Sequence, residues 1–243
     1  MRRAHNAVLA RLVLACSLSL FLSSPLTAQQ ANLKARIELL HDGHKVKNAS
    51  NAVIWLTPLG GTPAEPLVQT TIPKLEQRDK SFHPALVVVP VGGKVEFPNH
   101  DPFFHNVFSL YEGKRFDLGL YESGTTRFVQ FDRPGISYIF CNIHAQMSAV
   151  VIALNTPFFG VSGADGEITL PSVPPGRYQM QVFHASAQPE DLQAYNREIT
   201  LTAGTSSLGD VRLHETDVIA SHKNKYGRDY DPASPDSPVY ARP

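Results

Sequence analysis

From residue 33 onward, short apolar runs alternate with Gly, Pro, Asn and Asp, and helical periodicity is scarce. That punctuation predicts β-strands packed as sandwiches. In a first block, residues 33–40 and 52–56 read as strands, with a turn at His41-Asp42-Gly43-His44 between them. Residues 58–66 carry Pro58, Pro63 and Pro66 and read as a linker. A second block has strand composition at 85–89, 94–97, 106–110, 126–131, 137–140 and 149–154, with tight turns at Gly92-Gly93 and Pro134-Gly135. A third block has strand composition at 158–161, 167–170, 177–184, 197–202 and 207–213, punctuated by Asp165-Gly166 and Pro174-Pro175-Gly176. Residues 215–243 are polar and proline-rich and read as an extended tail, with a weak surface-helix pattern over 217–225.

The N-terminus changes this picture. Arg2, Arg3 and Arg11 flank an apolar run at 12–22, and small residues follow to Ala28, so residues 1–28 read as an export signal cleaved after Ala28. The run is too short to span a bilayer. A lipoprotein cut before Cys16 fits less well, because too little apolar sequence precedes it. Removing the signal leaves 19 Lys+Arg against 22 Asp+Glu over 215 residues. That balance predicts neither nucleic-acid binding nor bulk attraction to a membrane. It also leaves Cys141 as the one cysteine of an exported, periplasmic protein. Exported proteins usually pair their cysteines, so a lone thiol there is either exposed to oxidation or a metal ligand.

Cys141 opens the run Cys141-Asn142-Ile143-His144-Ala145-Gln146-Met147, and His105 stands 36 residues upstream. One thiolate, two imidazoles and one thioether form the ligand set of a blue-copper electron-transfer site. C-x2-H-x2-M between two apolar strands is hard to explain as packing alone, although a lone buried Cys or Met often is. Structural zinc would require more Cys or His at paired spacings. Haem c attachment needs a second cysteine, and a Cys–His nucleophile pair lacks a visible orienting group. His100 reads as a surface residue near the site, with an alternative ligand as the weaker reading. His41, His44, His83, His184, His214 and His222 read as surface or structural residues. Asn106, directly after the first ligand, either braces the Cys-bearing loop or is a turn residue.

Residues 70–154 resemble the plastocyanin and amicyanin family of cupredoxins. The resemblance is carried by Phe82-His83-Pro84 with the apolar run after it, Gly92-Gly93-Lys94-Val95-Glu96-Phe97, Asn99, His105-Asn106-Val107 and the C-x2-H-x2-M loop, whose length is amicyanin-like. It implies an eight-stranded Greek-key sandwich in which His105, Cys141 and His144 bind one type 1 copper ion strongly and Met147 is the weak axial ligand. Residues 158–214 resemble transthyretin-like or carboxypeptidase-regulatory-like sandwiches, through Asp165-Gly166-x-Ile168-x-Leu170-x-x-Val173-Pro174-x-Gly176-x-Tyr178. With only five strands that segment is short for such a domain. The strands within 33–57 are expected to complete it, with the copper domain inserted between them. The arrangement resembles periplasmic methylamine-utilisation-type proteins.

The expected chain is therefore all-β, a Greek-key cupredoxin sandwich plus an Ig-like or transthyretin-like β-sandwich. The expected function is single-electron transfer by Cu(I)/Cu(II) cycling, without catalysis. Redox proteins are the expected donor and acceptor, docking transiently near His144, with no nucleic-acid partner and no stable membrane span. The rival readings are a copper carrier or storage protein, and a surface interaction module whose copper site is vestigial.

Overall fold

The computed structural model describes residues 31–61, 64–110, 113–216 and 222–230. Residues 1–28, read above as an export signal, lie outside them, and so do residues 217–221 and 231–243. Residues 222–225, the described end of the weak helical pattern, are not helical.

The architecture is all-β. The strands β1 (Ala31–His41), β2 (His44–Lys45) and β3 (Val53–Leu59) come first. The middle of the chain supplies β4 (Glu76–Arg78), β5 (Ser81–His83), β6 (Leu86–Pro90), β7 (Gly93–Pro98) and β8 (His105–Ser109). It continues with β9 (Phe116–Tyr121), β10 (Thr126–Phe131), β11 (Gly135–Cys141) and β12 (Ser148–Leu154). The last part gives β13 (Phe159–Val161), β14 (Glu167–Val173), β15 (Gly176–Phe183), helix α1 (Pro189–Tyr195), β16 (Arg197–Leu201) and β17 (Ser207–His214).

Two N-terminal strands sit in the middle of sheets built from the C-terminal part of the chain. The sheet order β14-β1-β17 puts β1 between an antiparallel and a parallel neighbour. The order β13-β3-β15-β16 does the same for β3 with two antiparallel neighbours. Leu33, Ile37 and Leu39 of β1 face Ile54 and Leu56 of β3 across a core shared with Leu170, Tyr178, Met180 and Leu213. The Asp165-Gly166 turn closes against β1. The Ile37 N–H donates to the Gly166 carbonyl at 2.8 Å, and a Cβ on Gly166 would come within 2.2 Å of the Ile37 oxygen. Only glycine accepts that approach together with a φ of +80°.

The residues between β3 and β13 form the second sandwich. One sheet has the order β6-β12-β11-β8-β9, and the other is β10-β7. Val95, Phe97, Val107, Phe131, Ile139 and Val151 pack between them. A third apolar layer joins the two sandwiches: Val53, Trp55 and Phe183 from one meet Leu86, Val150, Ile152 and Leu154 from the other. This explains the unbroken apolar runs of β3 and β12. Alternate residues face opposite sides of a strand, and both sides of these two strands are buried. Each such side chain contributes about 1.5–3 kcal/mol on burial, so this interface is a core layer rather than a hinge.

Three sequence expectations shift. Residues 58–66 do not begin as a linker, because Pro58 continues β3 opposite Tyr178. It stands beyond the reach of β13, where its missing N–H costs no ladder bond. Strand β9 has no counterpart in the predicted elements. A bulge against β8 at Asn106/Phe108 breaks its alternation, leaving Leu120 exposed while Tyr121 is buried. The tail does not simply extend: residues 222–230 form turns against the end of the central sandwich, as described below.

Candidate metal centre

Cys141 is the last residue of β11 and is fully buried. It pairs with Val107 of β8, whose first residue is His105, also fully buried. The loop from Asn142 to Met147 then returns the chain to β12. Two adjacent strands thus bring His105 and Cys141 together at one end of the sandwich, and the short loop adds His144. The Sγ of Cys141 is 3.5 Å from Nδ1 of His105 and 3.7 Å from Nδ1 of His144. All three ligand atoms lie within 4.8 Å of one another. Met147 is fully buried in the same core as Cys141. Its N–H donates to the His144 carbonyl at 3.0 Å, and its carbonyl accepts from the Cys141 N–H at 3.3 Å. His100 is exposed and stands apart from this group.

The imidazoles are held in a usable state. His105 Nε2 donates to Asp101 Oδ2 at 2.8 Å. This fixes the proton on Nε2 and leaves the Nδ1 lone pair facing Cys141. Burial pulls the His105 pKa below its usual value and outweighs the opposing pull of Asp101. Burial would raise Asp101, but His105 and the N–H groups of Lys80 and Asp79 outweigh it and hold the carboxyl below its usual range. The pair is therefore a neutral imidazole donating to a carboxylate. His144 is depressed to about 4, by burial first and then by His105 and Lys80. Phe103 packs against both rings, 5.3 Å from each centroid, and the Lys80 ammonium lies 5.5 Å over Phe103.

The thiol is prepared as well. Burial pushes its pKa up, while backbone N–H groups of Asn106, Ile143 and His144 aim at the sulfur and oppose that rise. Such donors stabilise a thiolate once a cation holds it. Among the described residues Cys141 is a free cysteine. A soft thiolate with two neutral imidazole nitrogens suits copper better than a hard cation.

Asn106 braces the loop through its main chain. Its carbonyl accepts from the Asn142 N–H at 2.8 Å, while its side-chain amide turns away to Asp117 Oδ1 at 2.6 Å and to the Gly119 carbonyl at 3.1 Å. Asn99 shapes the turn before β8, accepting from the Asp101 N–H at 3.0 Å and donating to the Phe103 carbonyl at 2.8 Å. Asp101, Lys80 and Asp117 were not singled out from sequence. The spacing Asp101-x-x-x-His105 was visible, but four residues apart in a turn does not by itself imply contact.

No protein-family model matches the chain, and no curated protein matches it. Solved structures similar to part of it include the Cu-containing nitrite reductase NirK from Thermus scotoductus SA-01. That match has 23% identity and a TM-score of 0.33, covering 40% of this chain. This chain spans only 27% of that reductase. A purple cupredoxin from Nitrosopumilus maritimus matches at 20% identity and TM-score 0.31, covering 35% of this chain and 100% of that one. Amicyanin from Paracoccus versutus matches at 18% identity and TM-score 0.32, covering 42% and 97%.

Proposed function

We propose that this chain is a type 1 copper protein that passes single electrons between redox partners and transforms no substrate itself. His105, Cys141 and His144 are the strong ligands, and Met147 is the weak axial one. The observation that carries the reading is the convergence of one thiol sulfur and two neutral imidazole nitrogens within 4.8 Å at a buried strand end. Copper bound there would supply a Cu(I)/Cu(II) couple. The chain supplies a frame that moves little between the two states: two paired strands, a seven-residue loop tied to itself, and an Asp101 clamp on His105. A copper carrier would favour open ligands that exchange metal. Burial of Cys141, His105 and Met147 argues for a retained ion instead.

The exposed side of the pole is small. Ala145, Gln146 and Pro102 are exposed, and Ile143, Phe103, Phe104 and His144 are half-buried. A transient redox partner docking there would come close to the His144 edge, and modest interfaces suit such encounters. Residues 1–28 support export to the periplasm, where a lone thiol needs the protection that a metal gives. We take 70–154 as the copper domain, inserted between 33–57 and 158–214 of the other sandwich. No helix among the described residues is long and apolar enough to cross a membrane.

The test is the visible spectrum of the copper-loaded protein. An intense thiolate-to-copper band bleached by ascorbate is expected, and Cys141→Ser removes it while the β-sheet circular dichroism persists. Stoichiometric Cu(II) binding without colour, and with ordinary tetragonal resonance parameters, overturns the assignment.

A further inference from the structure

Residues 222–230 lie against the same end of the sandwich as the candidate ligands. The segment is folded on itself rather than draped. Asn224 Oδ1 accepts from the N–H groups of Tyr226 and Arg228 at 3.0 and 3.1 Å, and the Gly227 N–H donates to the Asn224 carbonyl at 2.9 Å. Its contacts concentrate on the residues that carry and follow the thiol. Tyr230 Oη donates to the Cys141 carbonyl at 2.8 Å. The His222 ring stacks on Phe140 with centroids 3.9 Å apart, and its Nδ1 is 3.1 Å from Tyr230 Oη. The Lys225 N–H donates to Asn142 Oδ1 at 3.0 Å, and Lys225 Nζ donates to Asp117 Oδ2 at 2.9 Å.

These bonds close a circuit. Asp117 Oδ1 accepts from the Asn106 side chain at 2.6 Å, and the Asn106 carbonyl accepts from the Asn142 N–H at 2.8 Å. Asn106 follows His105, and Asn142 follows Cys141. Lys225 thus ties the residues after two candidate ligands to one another, while Tyr230 holds the peptide between Cys141 and Asn142. The Lys225 side chain is only 19% exposed. Burial opposes its charge, and Asp117 outweighs burial and keeps it protonated. The Gly119 N–H at the β9 bulge donates to Asp117 Oδ1 at 2.9 Å, so the bulge helps hold the carboxylate in this circuit.

We propose that Tyr230 and Lys225 are positioning residues of the metal centre. The segment 222–230 is a strap that clamps the peptide after Cys141 and holds it in register with the strand bearing His105. The inference rests on the copper reading for its redox consequence. The strap itself is a property of the chain with or without the ion. The hydrogen bonds from Tyr230 and Lys225 to the centre end on the Cys141 carbonyl, Asn142 and Asp117, so the strap acts through the backbone that aims Cys141.

The test uses the full chain with Tyr230→Phe, Lys225→Met and Lys225→Arg. Tyr230→Phe keeps the ring and removes only the hydroxyl. In metal-free protein, the reaction of the Cys141 thiol with an aromatic disulfide reagent is expected to run about threefold to tenfold faster in Tyr230→Phe and Lys225→Met, the effect of one net hydrogen bond on local opening. Urea midpoints should fall by no more than the loss of that one bond accounts for, showing that the fold persists, and Lys225→Arg should restore the slow rate. In copper-loaded protein, the first two variants should change the intensity ratio of the thiolate bands and the potential, while Lys225→Arg should not. Wild-type thiol rates and wild-type spectra in Tyr230→Phe and Lys225→Met overturn the strap. A colourless wild type whose thiol is nonetheless released by those substitutions supports the strap and overturns the copper reading instead.

Discussion

Replacing Asp101 by Asn tests the clamp on His105 with little change of shape. The Asp101 carboxylate accepts three hydrogen bonds: from His105 Nε2 at 2.8 Å, the Lys80 N–H at 3.0 Å and the Asp79 N–H at 2.7 Å. It is 4% exposed, so water does not replace a lost partner. An amide has one accepting oxygen and one donating nitrogen. Either the Asp79 N–H or the pair from Lys80 and His105 must then face another donor. One buried unsatisfied donor costs about 1–3 kcal/mol, and the metal-free protein should lose that much stability. An outer partner of a ligating histidine is typically worth about 10- to 100-fold in metal affinity, and Cu(II) competition titrations against a chelator should show a loss in that range. The missing negative charge weakens Cu(II) more than Cu(I), so the potential should rise, by about 59 mV for each tenfold difference between the two. Voltammetry and urea denaturation complete the measurement. A variant that binds Cu(II) within twofold of the wild type at an unchanged potential would refute the clamp, whatever its stability.

Three further outcomes follow from the same geometry. Burial lowers the pKa of His105, His144 and His184, so the unfolded chain takes up protons first as pH falls. Stability of the metal-free protein should therefore be full above about pH 6.5 and fall towards pH 4. His144 alone should contribute about 2 kcal/mol after a discount for its partial exposure, and a flat denaturation midpoint across that window would contradict it. Met147→Leu conserves volume at a fully buried position, so the fold should survive at a cost under about 1.5 kcal/mol. The colour should remain and the potential should rise, and complete copper loss would make Met147 a primary ligand. Ala145→Glu adds a charge on the exposed rim beside His144 and should slow bimolecular reduction by the native donor without altering the spectrum. An unchanged rate constant would place the electron port elsewhere.

Much of the candidate centre was legible because the residues it brings together are chemically rare and close in sequence. Cys141, His144 and Met147 lie within one seven-residue loop, and a lone thiol behind a segment that reads as an export signal already points to a ligand. The residues that orient the donors were less legible. Asp101 meets His105 only because Asn99 bends the turn between β7 and β8. Asp117 meets Lys225 across 108 positions, and Tyr230 reaches Cys141 across 89. No local pattern encodes such distances, and a polar, proline-rich composition made residues 215–243 look like free chain.

The strands divide along the same line. Alternation and turn residues report which faces of a segment are buried, and they located β7, β10, β11 and β12 to within a residue or two. The unbroken apolar stretches Val53-Ile54-Trp55-Leu56 and Ala149 to Leu154 further report strands buried on both sides. They do not say what lies on each side. Partner choice is a matter of sheet edges, hydrogen-bond ladders and shared cores formed between distant segments. That is why the burial of β1 could be read from its sequence, and the few strands of 158–214 pointed to 33–57 as their complement, whereas the place of β1 between an antiparallel β14 and a parallel β17 belongs to the tertiary structure.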